Sequence, residues 1–276
     1  MASFNSISPD KTARILGSPR SPAILDVRFA ADVAAFPFVV PGSVIRDYAT
    51  VGEWAPSYRD AQSVIVVCKR GKKLSEGVAA HLRCLGIEAE VLEGGTEAWQ
   101  QAGLPLVPMA AIPGARPGGS TLWVTRSRPK IDRIACPWLI RRFIDPAATF
   151  LFVSPSEINA VAEHFGATPF DVEGAFWSHR GEFCTFDTML EEFRLTTEPL
   201  LKMATIVRAA DTDRLDQVPQ AAGLLAISLG LSRLYSKDLE QLDAGMLIYD
   251  SLYRWARDAT EERHDWVAHA PKRAAQ

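Results

Sequence analysis

The chain has 276 residues, 47% hydrophobic and 23% charged, which gives enough apolar side chain for full-sized cores and too little polar excess for disorder. At about 150 residues per domain this length suits two domains. Thirty Lys and Arg against 33 Asp and Glu leave a formal charge of -3, which excludes a globally basic nucleic-acid binder and leaves any anion binding to local patches.

In chain order, a helix is expected over about 10–16, strands over 23–27 and 63–67, a helix over about 74–85, a strand over 89–92 and a helix over about 96–102. This alternation predicts an α/β domain over residues 1–108, a small parallel sheet with flanking helices. Residues 109–120 combine two prolines with three glycines and read as a linker. Beyond it, residues 121–276 read as a mainly helical α+β domain. Strand-like runs at 121–125 and 149–153 flank a helix bearing Trp138, Leu139 and Ile140, with Pro137 acceptable if it sits in the first turn. Thr188 and Glu191 have the spacing of a capping box, and Thr197 caps a helix over 198–210. A final helix over 238–256 sets Leu239, Leu242, Met246, Tyr249, Tyr253 and Ala256 along one core-facing seam.

Asp10 and Lys11 interrupt the stretch where a secretory signal needs an unbroken apolar core, and no run has the length of a membrane span. The expectation is a cytoplasmic protein without a membrane partner. Cys68, Cys84, Cys136 and Cys184 form no C-x-x-C pair, which argues against a disulfide scaffold or a zinc ribbon. Cys84, Cys136 and Cys184 read as packing.

Cys68 is different. The apolar run from Val64 to Val67 leads straight into it, and Lys69, Arg70, Gly71, Lys72 and Lys73 follow before the next helix. A strand-to-helix loop aims successive backbone N–H groups at one point, and the helix adds its positive N-terminal end. A sulfur placed there sits in an anion cradle, the cations favour its thiolate form, and Gly71 permits a tight turn. The expectation is a nucleophilic Cys68, with Lys69, Arg70, Gly71, Lys72 and Lys73 binding a dianionic substrate. The plainer alternative is a small hydrophobe closing a core strand. It is outweighed by the position at the carboxyl end of a parallel strand, where α/β folds collect their sites.

Ile24-Leu-Asp-Val-Arg28, the Cys68 loop, and Leu92-Glu-Gly-Gly-Thr-Glu-Ala-Trp99 with Ala102-Gly-Leu-Pro105 together resemble the rhodanese homology domain, in order and in spacing, from residue 8 to residue 107. The resemblance implies that Cys68 attacks a sulfane-sulfur donor, holds the sulfur as a persulfide and passes it to a thiol or another nucleophile. No cofactor is required for that transfer. It further implies that Asp26 and Arg28 organise the end of the sheet rather than react. Lys69 and Lys73 stand where many active members carry arginine or a small hydroxyl residue, and lysine supplies charge without a bidentate fork, so the donor stays unassigned.

A second basic stretch runs from Arg126 to Arg142 with a local excess of five positive charges, and Arg133, Arg141 and Arg142 are candidates for holding a compact oxyanion. A solvated helix face is an equal alternative for this cluster. Farther on, His179, Asp187 and Asp211 have the chemistry of N and O ligands for a divalent metal. The plainer readings are a hydrogen-bonded core histidine and two acids at helix ends. Lys130-Ile-Asp-Arg-Ile-Ala-Cys-Pro-Trp-Leu-Ile-Arg-Arg-Phe-Ile-Asp145, with Phe150 to Val153, His179, Cys184-Thr-Phe186, Ile206-Val-Arg-Ala-Ala-Asp211 and Gly223-Leu224, resembles the C-terminal domain of the chromate-resistance protein ChrB family over residues 122–257. That resemblance implies a link to chromate response or detoxification, and some members act as chromate-sensing regulators.

Two readings follow. The first is a sulfurtransferase whose Cys68 persulfide serves a second domain that binds chromate, another oxyanion or a divalent metal. The second is a non-enzymatic chromate or metal sensor in which the rhodanese-like part is a scaffold or redox switch. No helix-turn-helix pattern precedes the ChrB-like part, which weighs against nucleic acid as a direct partner.

Overall fold

The structure is a computed structural model describing residues 5–114 and 120–262. The N-terminal half runs β1 (Ser6–Ile7), α1 (Pro9–Ile15), β2 (Ala23–Asp26), α2 (Ala30–Ala35), β3 (Phe38–Val39), β4 (Ser43–Ile45), α3 (Val51–Trp54), β5 (Val64–Val67), α4 (Lys73–Cys84), β6 (Ala89–Leu92), α5 (Gly95–Gln101) and β7 (Val107–Pro108). Five strands form one sheet in the order β1-β6-β5-β2-β4, every pairing parallel. The central strand β5 is buried along its whole length, as an all-aliphatic run covered on both faces must be. On one face α4 presents Ser75, Val78, Ala79 and Leu82 at three- and four-residue spacing to Leu25, Val64 and Val66. On the other, Ile24, Ile65 and Val67 pack with Leu92 and Trp99 of α5. The expected α/β domain with a parallel sheet and flanking helices is what the chain forms.

The second half contains β8 (Leu122–Arg126), α6 (Asp132–Phe143), β9 (Thr149–Val153), α7 (Ile158–Phe165), β10 (Thr168–Pro169), α8 (Thr185–Glu192), α9 (Glu198–Asp211), α10 (Gln220–Leu234) and α11 (Asp238–Asp258). Its three strands pair in parallel in the order β10-β8-β9. Helix α6 is the hub: Ile134, Ala135, Cys136, Trp138, Leu139, Ile140 and Phe143 are all buried, against α8, α9 and α11. Trp138 lies within 6.4 Å, centroid to centroid, of the rings of Phe143, Phe186, Tyr249 and Tyr253.

Three local expectations are corrected. Pro137 lies inside α6, not in its first turn, because the helix starts at Asp132. The capping box of α8 is Cys184 with Asp187, one turn before Thr188 and Glu191, and both members' hydrogen bonds are made. On α11, Leu239 is exposed while Leu242, Met246, Tyr249, Tyr253 and Ala256 are buried, so the seam begins one step later. Thr197 does stand at the N-cap of α9, yet its hydroxyl is buried without a partner and the cap is a backbone one.

The two halves share packing. β3 and β7 pair antiparallel, and Val39 and Val107 from this ribbon are buried in the same apolar cluster as Trp138 and Tyr253. The Gly42 amide donates to the Phe143 carbonyl over 2.6 Å, and Arg257 donates to the Arg14 carbonyl over 2.7 Å. Within the stretch read as a linker, Met109–Ala111 form a 3-10 turn, and Met109, Ala111 and Ile112 pack against that cluster. Residues 115–119 of that stretch lie outside the described residues.

Candidate functional site

Cys68 directly follows β5, and its residue surface is only 6% exposed. Its Sγ lies 3.1 Å from Ser75 Oγ on α4, and the same hydroxyl donates to the Lys72 carbonyl over 3.0 Å. Ser75 has a single proton, so it can turn that proton to sulfur or accept one from it. The first two carbonyls turn toward α5: Thr96 N donates to Cys68 O over 3.0 Å and Glu97 N to Lys69 O over 3.1 Å. Among the described residues, none of the backbone N–H groups of Lys69, Arg70, Gly71, Lys72 and Lys73 donates to a protein acceptor. A loop with five consecutive free amides has the donors that an anion site uses.

Two glycines make this shape possible. A Cβ on Gly71 would meet the Leu92 carbonyl and stand 2.7 Å from Gly94 N. One on Gly95 would run into the Cys68 carbonyl oxygen and stand 2.7 Å from the amide nitrogens of Arg70 and Gly71. The loop and the Glu-Gly-Gly-Thr turn are thus in backbone-to-backbone contact.

The cationic side chains of the loop divide. Lys69 pairs with Asp32 at 3.0 Å and Arg70 with Glu97 at 3.1 Å, both partly exposed, whereas Lys72 and Lys73 have no ion-pair partner among the described residues. Beneath the loop, Arg28 and Asp26 form a buried pair at 2.7 Å, and Arg28 also donates to the carbonyls of Phe36 and Phe38. This pair ties the end of β2 to the start of β3.

The second site converges from four segments. Asp132, the first residue of α6, is fully buried and accepts the Thr185 amide at 2.6 Å on Oδ2, while its Oδ1 has no hydrogen-bond partner. Asp171 accepts from Thr185 Oγ1 at 3.0 Å on one oxygen, and its other oxygen pairs with Arg126 at 3.1 Å and Arg133 at 3.3 Å. His179 Nε2 lies 3.3 Å from Asp211, 3.4 Å from Asp171 and 3.6 Å from Asp132. Asp211 is the last residue of α9.

The backbone around this site is held in unusual conformations. Ile131 has φ 37° and Asp171 φ 51°, which a β-branched side chain in particular rarely adopts. The Ile131 amide donates to Ser228 Oγ at 3.1 Å and its carbonyl accepts from Tyr249 Oη at 3.0 Å, so the strained residue is pinned from two helices.

Electrostatics follow from this crowding. Burial, then the charges of Asp211 and Asp171, push the Asp132 carboxyl well above the ordinary range. Hydrogen bonds to Asp171 and Asp211 raise His179 to about 10. Burial raises Asp171, but His179, Arg126 and Arg133 outweigh it and hold it below its usual value. Burial first, and Asp132 second, push the thiols of Cys136 and Cys184 up.

The three expected metal ligands do not all meet. His179 and Asp211 come together, but Asp187 accepts the Cys184 amide at 3.0 Å and pairs with Arg208 at 2.6 Å, and Asp132 stands in the place expected of it. Sequence reasoning missed Asp132 and Asp171; the one signal was a lone acid inside the basic stretch from Arg126 to Arg142. The proposed oxyanion cluster is likewise dispersed. Arg133 pairs with Asp171, Arg141 with Asp243 at 3.2 Å, and Arg142 with Asp250 at 2.7 Å. Eight residues separate Arg133 from Arg141 along α6, about 12 Å of helix.

No described helix is long and apolar enough to cross a membrane. Residues 8–102 match the family described as "Rhodanese-like domain", and residues 123–256 match "ChrB, C-terminal domain". The protein named "Protein ChrB" from Cupriavidus metallidurans is 34% identical over 132 residues, which is 48% of this chain and 39% of that protein, so the match spans well under half of the relative. Among solved structures, a thiosulfate sulfurtransferase from Pseudomonas aeruginosa is similar at 27% identity and TM-score 0.33, over 37% of this chain and 19% of that one. A rhodanese-like domain protein from Staphylococcus aureus is similar at 27% identity and TM-score 0.32, over 35% of this chain and 91% of that one. The chain therefore joins a rhodanese-like domain at residues 8–102 to a ChrB C-terminal domain at residues 123–256.

Proposed function

We propose that the chain is a sulfurtransferase in which Cys68 carries a persulfide, and that this activity serves chromate resistance or response together with the ChrB domain. The observation that carries the reading is the Cys68 loop, with carbonyls bound to α5 and Ser75 and five consecutive amides left as donors around the end of β5. In the first half-reaction the Cys68 thiolate attacks the outer sulfur of a sulfane donor. The Sγ–S bond forms, the donor's S–S bond breaks, and the leaving group departs with the electron pair. In the second, an acceptor nucleophile attacks the outer sulfur of the persulfide, and the Cys68 thiolate leaves. The free amides stabilise the negative charge on the terminal sulfur between the two steps, and Ser75 turns its proton toward whichever sulfur bears the charge. Lys72 and Lys73 draw in an anionic donor, while Lys69 and Arg70, neutralised by Asp32 and Glu97, shape the rim.

The test is intact-mass analysis of the full chain after incubation with thiosulfate and with other sulfane donors. The expected result is a gain of one sulfur atom that a thiol acceptor removes and that Cys68→Ser abolishes. A folded wild-type protein that takes up no sulfur from any donor would refute the reading.

A further inference from the structure

The geometry points to a divalent transition-metal site in the ChrB domain, formed by carboxylate oxygens of Asp132 and Asp211 and by Nε2 of His179. This goes beyond the sulfur-transfer reading and does not rest on it. The three side chains each offer one ligand atom, all within 4.8 Å of one another, and they come from the start of α6, the end of α9 and the irregular segment before α8. Such convergence from distant segments is not an i, i+4 surface pairing.

Three features favour an ion over an ordinary salt bridge. First, His179 Nε2 lies at 3.3–3.6 Å from oxygens of three carboxylates. A ring nitrogen carries at most one hydrogen, so the imidazole can serve only one of these acceptors at a time, whereas a cation held between Nε2 and the oxygens of Asp132 and Asp211 meets the two that Asp171 does not occupy. Those separations also match the edge of a tetrahedral site, about 3.4 Å when the bonds are about 2.0–2.1 Å. Second, Asp132 is completely buried, its Oδ2 faces His179 at 3.6 Å while accepting the Thr185 amide, and its Oδ1 has no hydrogen-bond partner, so the protein's own groups leave part of this side chain's capacity unused. Third, Asp171 is committed to Arg126, Arg133 and Thr185, which makes it an outer positioning group while Asp132, Asp211 and His179 supply the inner ligands.

One imidazole nitrogen with carboxylate oxygens suits Mn²⁺, Fe²⁺ or Zn²⁺ better than Ca²⁺ or Mg²⁺, which favour oxygen-only shells. His179 and Asp211 are 38% and 19% exposed, so the site opens to solvent on their side and an ion can enter without unfolding the domain.

The experiment uses full-length protein carrying Cys68→Ser and Cys84→Ser, which removes the two thiols not fixed in the C-terminal core. Its failure is therefore distinct from failure of sulfur transfer. Chelator-treated protein is equilibrated by dialysis with Zn²⁺ and, separately, Mn²⁺. Bound metal and the thermal midpoint are then measured on the same sample. The expected result is one equivalent of ion bound by at least one of the two metals, with a raised midpoint. Asp211→Asn, His179→Gln and Asp132→Asn should each weaken binding at least tenfold, and Asp187→Asn should retain it. Asp211→Asn and His179→Gln change partly exposed groups, so they keep the test open should Asp132→Asn fail to fold. No stoichiometric ion with either metal, or an equivalent that survives Asp211→Asn and His179→Gln, or equal loss in Asp187→Asn, would overturn the assignment and leave His179 as an imidazolium clamp.

Discussion

Replacing Gly95 by alanine tests whether the Cys68 loop is held by backbone contact with the turn before α5. Gly95 has φ 60°, and its added Cβ would collide with the Cys68 carbonyl and crowd the amides of Arg70 and Gly71. The left-handed backbone costs an alanine about 1–2 kcal/mol. Forcing the packed loop to shift adds about 1–3 kcal/mol, and the stiffer unfolded chain returns about 0.4–1 kcal/mol. The net expectation is a loss of about 2–4 kcal/mol, a large part of a typical domain stability of about 5–15 kcal/mol. Gly103→Ala is the matched control, because Gly103 has φ 66° with nothing within 4 Å of its would-be Cβ. Urea titration of both variants, with sulfur uptake at Cys68 measured in parallel, separates the terms. Gly103→Ala should lose about 1 kcal/mol and keep its sulfur transfer, and Gly95→Ala should lose more and transfer sulfur poorly. Equal losses in the two variants, with transfer intact in both, would refute the idea that this contact shapes the cradle.

The buried ion pair beneath the same loop makes a second prediction: Asp26→Ala strands the Arg28 guanidinium and should cost about 3–5 kcal/mol in a urea titration, and a loss under about 1 kcal/mol would contradict it. The thiols give a third. Burial pushes Cys136 and Cys184 up, so they stay protonated and enclosed at pH 7.5. Iodoacetamide followed by peptide mapping should then modify Cys68 and Cys84 in the native protein and all four cysteines after denaturation, and prompt native-state modification of Cys184 would count against the described packing.

What could be read from the residues alone was governed by how local the signal is. The strand from Val64 to Val67, the cysteine that follows it and the cationic loop occupy ten consecutive positions, so the chemistry and its scaffold are contiguous. Two-residue strands such as β1 and β3 have no period to detect, and their existence rests on neighbours far away in sequence. Helix α10 escaped for another reason: Ile227, Leu229 and Leu234 are exposed while Ala221, Leu224, Ser228 and Ser232 are buried, which blurs any apolar stripe. Pro137 stands outside the first turn that proline favours, because α6 begins five residues earlier, at Asp132, a start that no local signal before Pro137 marks. At the second site Asp187 lies close to His179 in sequence and Asp132 far from it. Asp132 reaches the imidazole only through the packing of α6 against α8, anchored by the Thr185 amide. A cysteine is also a poor guide to a helix start, so the Cys184 cap hid Asp187's structural duty.

The ribbon of β3 and β7 gives the junction between the halves a consequence for dissection. Val39 and Val107 are contributed by the rhodanese-like half, yet they are walled in by residues of the other. A cut at residue 108 would therefore strip two aliphatic plugs from the larger core and open its aromatic centre to water. Fragments divided at the glycine-rich stretch would each carry a raw face, and the intact chain is the proper unit for assigning activity to either half.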